Sequence, residues 1–272
     1  MLKRILLVLT TCAIAACPAL AEFEPWEAGA RGTAMGGAMT AVTGEDALLY
    51  NPSGLPRFGK TTLLFTNTDL YGLGIEHTFL GLNTNVKGVG LGAAFSRFHD
   101  PELAYLQQTL QASGAMSLSP AVTFGATLRY GTLKSEAGGA NSLIADLGLI
   151  WQPVSSLQLG LLAQNALAAV NYERGEETPP ERALKAGAAI NLPGNAIFAV
   201  NIPDLKFNLK NWQYGFEKWY SDQFGVRLGL NDGRITAGLS FVSGAWKIDY
   251  AYLPHELGQT HRVALKASLG GD

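Results

Sequence analysis

From about Lys60 onward, apolar residues recur at every second position, and in seven clear segments that face carries no charge at all. It runs through Val122, Phe124, Ala126, Leu128 and Tyr130, then Leu143, Ala145, Leu147, Leu149 and Trp151, then Leu157, Leu159 and Leu161. Further along come Phe224, Val226 and Leu228, then Ile235, Leu239 and Phe241, Trp246, Ile248, Tyr250 and Tyr252, and Val263, Leu265 and Leu269. Period two puts such residues on one side of a β-strand and their neighbours on the other, so most of this chain is committed to sheet. The opposite face carries Thr123, Thr127, Arg129, Asp146, Arg227, Lys247, Asp249, Arg262 and Lys266, interrupted by glycines such as Gly125, Gly148, Gly160 and Gly229.

Two architectures satisfy this pattern. A soluble sandwich turns the apolar face inward and wets the other. A membrane barrel turns it outward to lipid and lines its interior with the small and polar residues. Three features favour lipid. Charged residues make up 15% of the chain, against about 25% for a typical soluble domain, too few for a solvated face on every strand. Tyr130, Trp151, Trp246 and Tyr252 sit toward segment ends, where an interfacial girdle places aromatics. Lastly, the breaks divide the region into about fourteen segments whose connections alternate between short and long. Val86 to Gly88 and Ser243 to Gly244 are short; His99 to Tyr105, Lys134 to Ala140, Ala169 to Arg182, Asp204 to Asn208 and Leu253 to Gln259 are long. Asn231 to Gly233 is a tight turn on the long side. Short turns at one end and long loops at the other are the habit of barrels inserted from the periplasm, so the expected fold is all-β: a 14-stranded antiparallel transmembrane β-barrel.

The start of the chain agrees with export. Lys3 and Arg4 precede an apolar run from Ile5 to Ala16, and Ala19 to Ala21 offer a small-residue cleavage site, so residues 1–21 read as a signal peptide. A lipoprotein signal ending at Cys17 is the competing reading. Cleavage at Ala21 removes Cys12 and Cys17, the only cysteines, which excludes disulfides and thiol chemistry from the mature chain. It also takes the formal charge from −2 to −4 by removing two basic residues, and such a chain has no basic field for nucleic acid. The expected location is the bacterial cell outer membrane, with its lipid as the first partner.

Residues 22–59 lack alternation and are too few to build their own core, so they should pack against the barrel as a plug. Thr43 to Asp46 fits a capping box before a short helix that Asn51-Pro52 would stop after Tyr50. The run Ala30-Arg31-Gly32-Thr33-Ala34-Met35-Gly36-Gly37-Ala38-Met39-Thr40-Ala41-Val42, with Tyr50-Asn51-Pro52-Ser53-Gly54-Leu55 after it, resembles the N-terminal hatch of FadL-type outer-membrane barrels. The stretch Ile248 to Arg262, with Pro254-His255-Glu256-Leu257-Gly258 at its centre, is similar to the PorV/PorQ branch of that superfamily. The resemblance implies a hatch (22–59) inside a barrel (60–272), with Arg31, Gly32, Gly36, Gly37, Asn51, Pro52 and Gly54 as its motif positions. The family usually has Ala at Ser53, and its barrels usually end on an aromatic where this chain trails off in Gly270-Gly271-Asp272.

Other patterns fail on context. Gly54 to Thr61 matches the phosphate-loop spacing, but Asn51-Pro52 precedes it and Thr62 to Thr66 favour a strand, not the helix such a loop opens. His255, Glu256 and His261 have the wrong spacing for a helical zinc site. With no G-x-S-x-G elbow and no cofactor fingerprint, an enzyme has no supporting constellation, and no cofactor is expected. Arg129, Asp146, Glu217, Arg227, Lys247, Asp249, Arg262 and Lys266 are candidate lumen charges, first as structural pairs and second as a solute path. The resemblance implies FadL-like passage of hydrophobic small molecules, leaving sideways through a strand kink that Gly88, Gly90 and Gly92 would form. The alternative is a docking component for secretion-system proteins of the type IX kind, as in the PorV branch.

Overall fold

The computed structural model describes residue 23 and residues 29–136, 138–174, 179–204 and 211–269. The expected leader, the 270–272 tail and parts of the 169–182 and 204–208 connections lie outside them. Fourteen strands follow one another, each pairing with its sequence neighbours: β1 (Thr61–Leu70), β2 (Ile75–Val86), β3 (Val89–Asp100), β4 (Tyr105–Ser117), β5 (Val122–Ser135), β6 (Gly138–Val154), β7 (Leu157–Tyr172), β8 (Ala183–Leu192), β9 (Ala196–Ile202), β10 (Gln213–Trp219), β11 (Phe224–Asn231), β12 (Arg234–Ser243), β13 (Trp246–His255) and β14 (Gly258–Leu269). β14 returns to pair antiparallel with β1 from Thr61↔Leu269 to Asp69↔His261, so the sheet closes and leaves no edge strand.

Closure decides between the two architectures. Leu128, Leu143, Leu161, Phe241, Ile248 and Val263 are each about half exposed on the outer surface. Thr127, Arg129, Arg227, Ser240, Asp249 and Lys266, from the other face of the same strands, are buried inside. An apolar exterior around a polar, hydrogen-bonded interior is stable in hydrocarbon and costly in water. Tyr130, Trp151 and Trp246 are exposed at the margins of the band. Among the described residues no helix is long and apolar enough to cross a membrane.

Two of the expected long loops are tight turns instead. β5 runs to Ser135 and β6 restarts at Gly138, while β13 runs to His255 and β14 restarts at Gly258. Ser135↔Gly138 and His255↔Gly258 close these ladders at glycines with φ of +140° and +148°. Their Gly and polar content suggested loops, but cross-strand pairing carried the ladder through them. The loop parity is therefore weaker than the spacing implied, although the strand count is as expected.

Ahead of β1, the chain forms α1 (Ala30–Ala34), α2 (Ala47–Tyr50) and a 3-10 helix (Pro52–Arg57) inside the barrel. α1 lies against β11 to β14 and the 3-10 helix against β2 to β6, so the segment bridges opposite walls. Asp46 stands at the α2 N-cap without a side-chain capping bond, and Thr43 instead accepts from Gln158, so the expected capping box does not form. As expected, α2 ends at Tyr50; Asn51 caps it, and the 3-10 helix then begins at Pro52.

Candidate functional site

The lumen glycines make the hatch possible. A Cβ on Gly229 would strike the backbone of Met35 and Gly36, one on Gly160 the backbone at Thr40, and one on Gly125 the backbone of Pro52 and Ser53. Gly148 faces the Asn51 side chain, and Gly215 faces Met35. The polar face of the barrel thus carries a track, without side chains, on which the hatch main chain runs in van der Waals contact. Of the glycines proposed as a kink, Gly90 and Gly92 belong to this arrangement. Gly90 meets Leu55 and Pro56, and Gly92 meets Leu48. β3 keeps unbroken register with β2 and β4 through both, and Gly88 is a turn residue with φ +84°. Gly90 and Gly92 thus give room to the hatch, and β3 stays within its ladder at both.

Six of the seven hatch motif positions make specific contacts. Arg31 donates from Nε and Nη2 to the two carboxylate oxygens of Glu217, both at 2.8 Å, a bidentate geometry that lysine cannot reproduce. Gly32 leaves space for the Tyr50 ring, and Gly54 for Ala47. Gly36 and Gly37, with φ of +63° and +83°, turn the chain out of α1, the first against the backbone of Leu230 and the second against the Gln213 side chain. Asn51 donates to the carbonyls of Thr40 (2.7 Å) and Leu161 (3.2 Å), while its Oδ1 accepts from Ser53 N and Oγ. That side chain ties two hatch turns to the wall. Within the phosphate-loop match, Gly54 to Arg57 lie in the buried 3-10 helix and Thr61 opens β1.

The lumen charges divide into two groups. On the β10 to β14 side, Glu217 also accepts from Arg227, whose Nη1 donates to Ser240 at 2.5 Å and faces Asp249 at 3.4 Å. Lys266 reaches Asp249 and Asp46 at 2.8 Å and Glu45 at 2.9 Å, and Lys247 reaches Glu45 at 2.6 Å. Arg31, Arg227, Lys247 and Lys266 balance Glu45, Asp46, Glu217 and Asp249, so the cluster is neutral and binds the hatch to this wall. Burial opposes ionisation of Glu45, but the ammoniums of Lys266 and Lys247 outweigh it and hold the carboxyl down to about 2. Burial likewise opposes the Arg31 charge, and Glu217 and Asp46 overcome it, holding the guanidinium above its usual range. Arg262 donates to Thr68 and, at 2.5 Å, to Thr33 of α1. The sequence reading missed Glu45 and Asp46 as members of this cluster. Their only signal was two adjacent acids in a segment otherwise poor in charge.

Arg129 and Asp146 lie apart from that cluster, 3.0 Å from each other on β5 and β6. Both hold Asn165, a fully buried β7 residue with φ +53°. Arg129 donates to its Oδ1 at 2.5 Å, and its backbone N–H donates to Asp146 at 2.7 Å. Here the β6–β7 register shifts between Ala145 and Leu147, and the described pairing of β7 with β8 stops at Gln164↔Ala183. This is the largest irregularity of the described wall, and no sequence signal marked it.

Two small cavities adjoin it, between the hatch and the β2 to β10 walls. One of about 90 Å³ is lined by Tyr50, Arg129, Asp146, Gln164 and Lys185 among others. The other, of about 50 Å³, lies toward Phe79 and Phe98. Larger recesses open at the barrel ends, one of about 580 Å³ beside Trp219, Glu217 and Ile197. Trp219 carries Lys247 at 4.9 Å and Arg227 at 5.7 Å over its ring.

The closed barrel has counterparts among solved structures. The CymD monoaromatic hydrocarbon channel is similar over 92% of this chain and 99% of its own, with a TM-score of 0.58 at 13% identity. The toluene transporter TodX of Pseudomonas putida is similar over 89% and 97%, with a TM-score of 0.56 at 12% identity. The fold is that of the outer-membrane channels. A Pseudomonas aeruginosa FadL homologue is similar over 89% and 98%, with a TM-score of 0.51 at 11% identity. No protein-family model and no curated protein matches the chain. The Pro254 to Arg262 stretch, which suggested the PorV/PorQ branch, forms the β13–β14 hairpin; His255 rests on the Tyr71 ring at 4.6 Å and Thr260 accepts from the Tyr71 N–H.

Proposed function

We propose that this protein is an outer-membrane channel that passes small, largely hydrophobic molecules past its hatch. The observation that carries the reading is the pair of cavities between the wall and a hatch that blocks the lumen, inside a barrel with the fold of hydrocarbon channels. An open water-filled pore is incompatible with that filling, so transfer requires a bound stage and a local opening. The wall discontinuity at Asn165 adjoins the larger cavity, and it supports a sideways exit there.

The test is uptake of labelled toluene and of a labelled fatty acid into liposomes carrying the purified full chain. Entry several-fold faster than into protein-free liposomes is expected. Equal rates with and without protein would overturn the reading.

A further inference from the structure

The ladders set outward side chains of neighbouring strands side by side, and one such row is polar. Asn67 of β1 pairs with Thr78 of β2, Thr78 with Arg97 of β3, Arg97 with Gln108 of β4, Gln108 with Thr132 of β5 and Thr132 with Asn141 of β6. Their chain neighbours Thr66, His77, Phe98, Gln107, Leu133 and Ala140 are buried, so the row faces outward. Two residues away on the same strands lies a second row, Phe65, Leu80, Phe95, Leu110, Tyr130 and Leu143, paired in the same order. The outer surface thus changes from apolar to hydrogen-bonding within about 7 Å of strand, and does so across six strands, a width of about 24 Å.

Two features separate this row from an ordinary wetted rim. Beyond β1 it continues into Val263 of β14 and Tyr250 of β13, on the apolar face, so it starts at the level of lipid-facing side chains. On the far wall, Leu228, Leu230, Ile235 and Leu239 of β11 and β12 keep the outer surface apolar. The row stands toward the end that carries the long β7–β8 and β9–β10 connections, the outer-leaflet end of such a barrel. Thr78 donates to the Asn67 Oδ1 at 3.2 Å and Tyr130 to the Asn141 Oδ1 at 3.5 Å, which leaves both amide nitrogens as donors to a ligand. Gln108 adds a third amide and Thr132 a hydroxyl, and groups that donate and accept at once are the complement of sugar hydroxyls. Charge is secondary here, because Arg97 already faces Glu76 at 3.5 Å. Independently of the channel reading, we infer that β1–β6 bind an outer-leaflet glycolipid, its sugar headgroup on the polar row and its acyl chains on the apolar row beneath.

The experiment is native mass spectrometry of the full chain in detergent, titrated with lipid A, an acylated and phosphorylated glucosamine disaccharide, with its monophosphoryl form, and with phosphatidylglycerol. Saturable binding of lipid A is expected, with the monophosphoryl form within about threefold and phosphatidylglycerol roughly tenfold weaker or more. Gln108→Leu combined with Asn141→Leu should weaken lipid A by about tenfold and leave phosphatidylglycerol within about twofold. Asn67→Leu, which keeps Gln108 and Asn141 in place, is a second variant, expected to weaken lipid A several-fold. Lys87→Gln, in the β2–β3 turn at the other end of the barrel, should change neither lipid. Phosphatidylglycerol binding as tightly as lipid A, or lipid A binding unaltered in both Leu variants, would overturn the inference.

Discussion

Single residues here work mostly by what they leave out or what they balance. Gly229 is the sharpest case of the first kind, since any side chain there would push the Met35–Gly36 backbone off the wall. Gly229→Val should leave the barrel folded but loosen the hatch, at an overpacking cost of about 1–3 kcal/mol. Limited trypsin digestion checks this: cleavage after Arg31, which is buried, should appear in the variant and not in the parent. Lys266 is of the second kind, 1% exposed among three carboxylates. Replacing it by Met strands those charges in a buried site, and breaking such a cluster typically costs about 3–5 kcal/mol. A fall in the urea midpoint of that order is expected, largely restored when Asp46 is changed to Asn in the same chain.

Among the elements, the hatch and β7 behave differently from the rest. The hatch is fastened to β13 and β14 by Glu45, whose carboxyl is held at about 2 against an ordinary value of 4.5. A lowered carboxylate contributes stability that is present above its unfolded value and disappears as pH falls through the folded one. Hatch attachment should therefore weaken between about pH 4.5 and 2, with protease sensitivity at Arg31 as the readout, and Glu45→Gln should be loose already at neutral pH. β7 carries its own strain at Asn165, where a left-handed backbone is combined with hydrogen bonds to Arg129, Asp146 and the Glu181 carbonyl. Asn165→Gly keeps the backbone conformation and loses the side-chain bonds; Asn165→Val loses both. The melting temperature should fall in both variants and further in Asn165→Val, since a β-branched residue resists positive φ.

For the whole molecule, stability depends on the direction in which the two faces look. Leu128 and Leu147 project outward from β5 and β6. An Arg at either should cost about 2–4 kcal/mol in a bilayer if the position lies near its midplane. Measured by urea titration in lipid vesicles, an insensitive Leu128→Arg would contradict the lipid-facing orientation. Much of this level was legible beforehand, because an uncharged face repeated on strand after strand has few stable placements. The charge pairs were less so. Arg129 and Asp146 lie on consecutive strands, where the lumen face already predicted company. The partners of Lys266 come from a hatch without periodicity, and no spacing points across two hundred residues of chain.

Periodicity and composition were enough to point to a closed, outward-apolar barrel, since side-chain alternation and the cost of an unpaired strand edge act locally and repeat along the chain. The path of the hatch over the lumen glycines, the neutral cluster around Glu45 and Asp46, and the break at Asn165 were settled only in three dimensions. Each depends on register and on contacts between distant segments, and a residue's own neighbours in the chain do not encode the wall it will face.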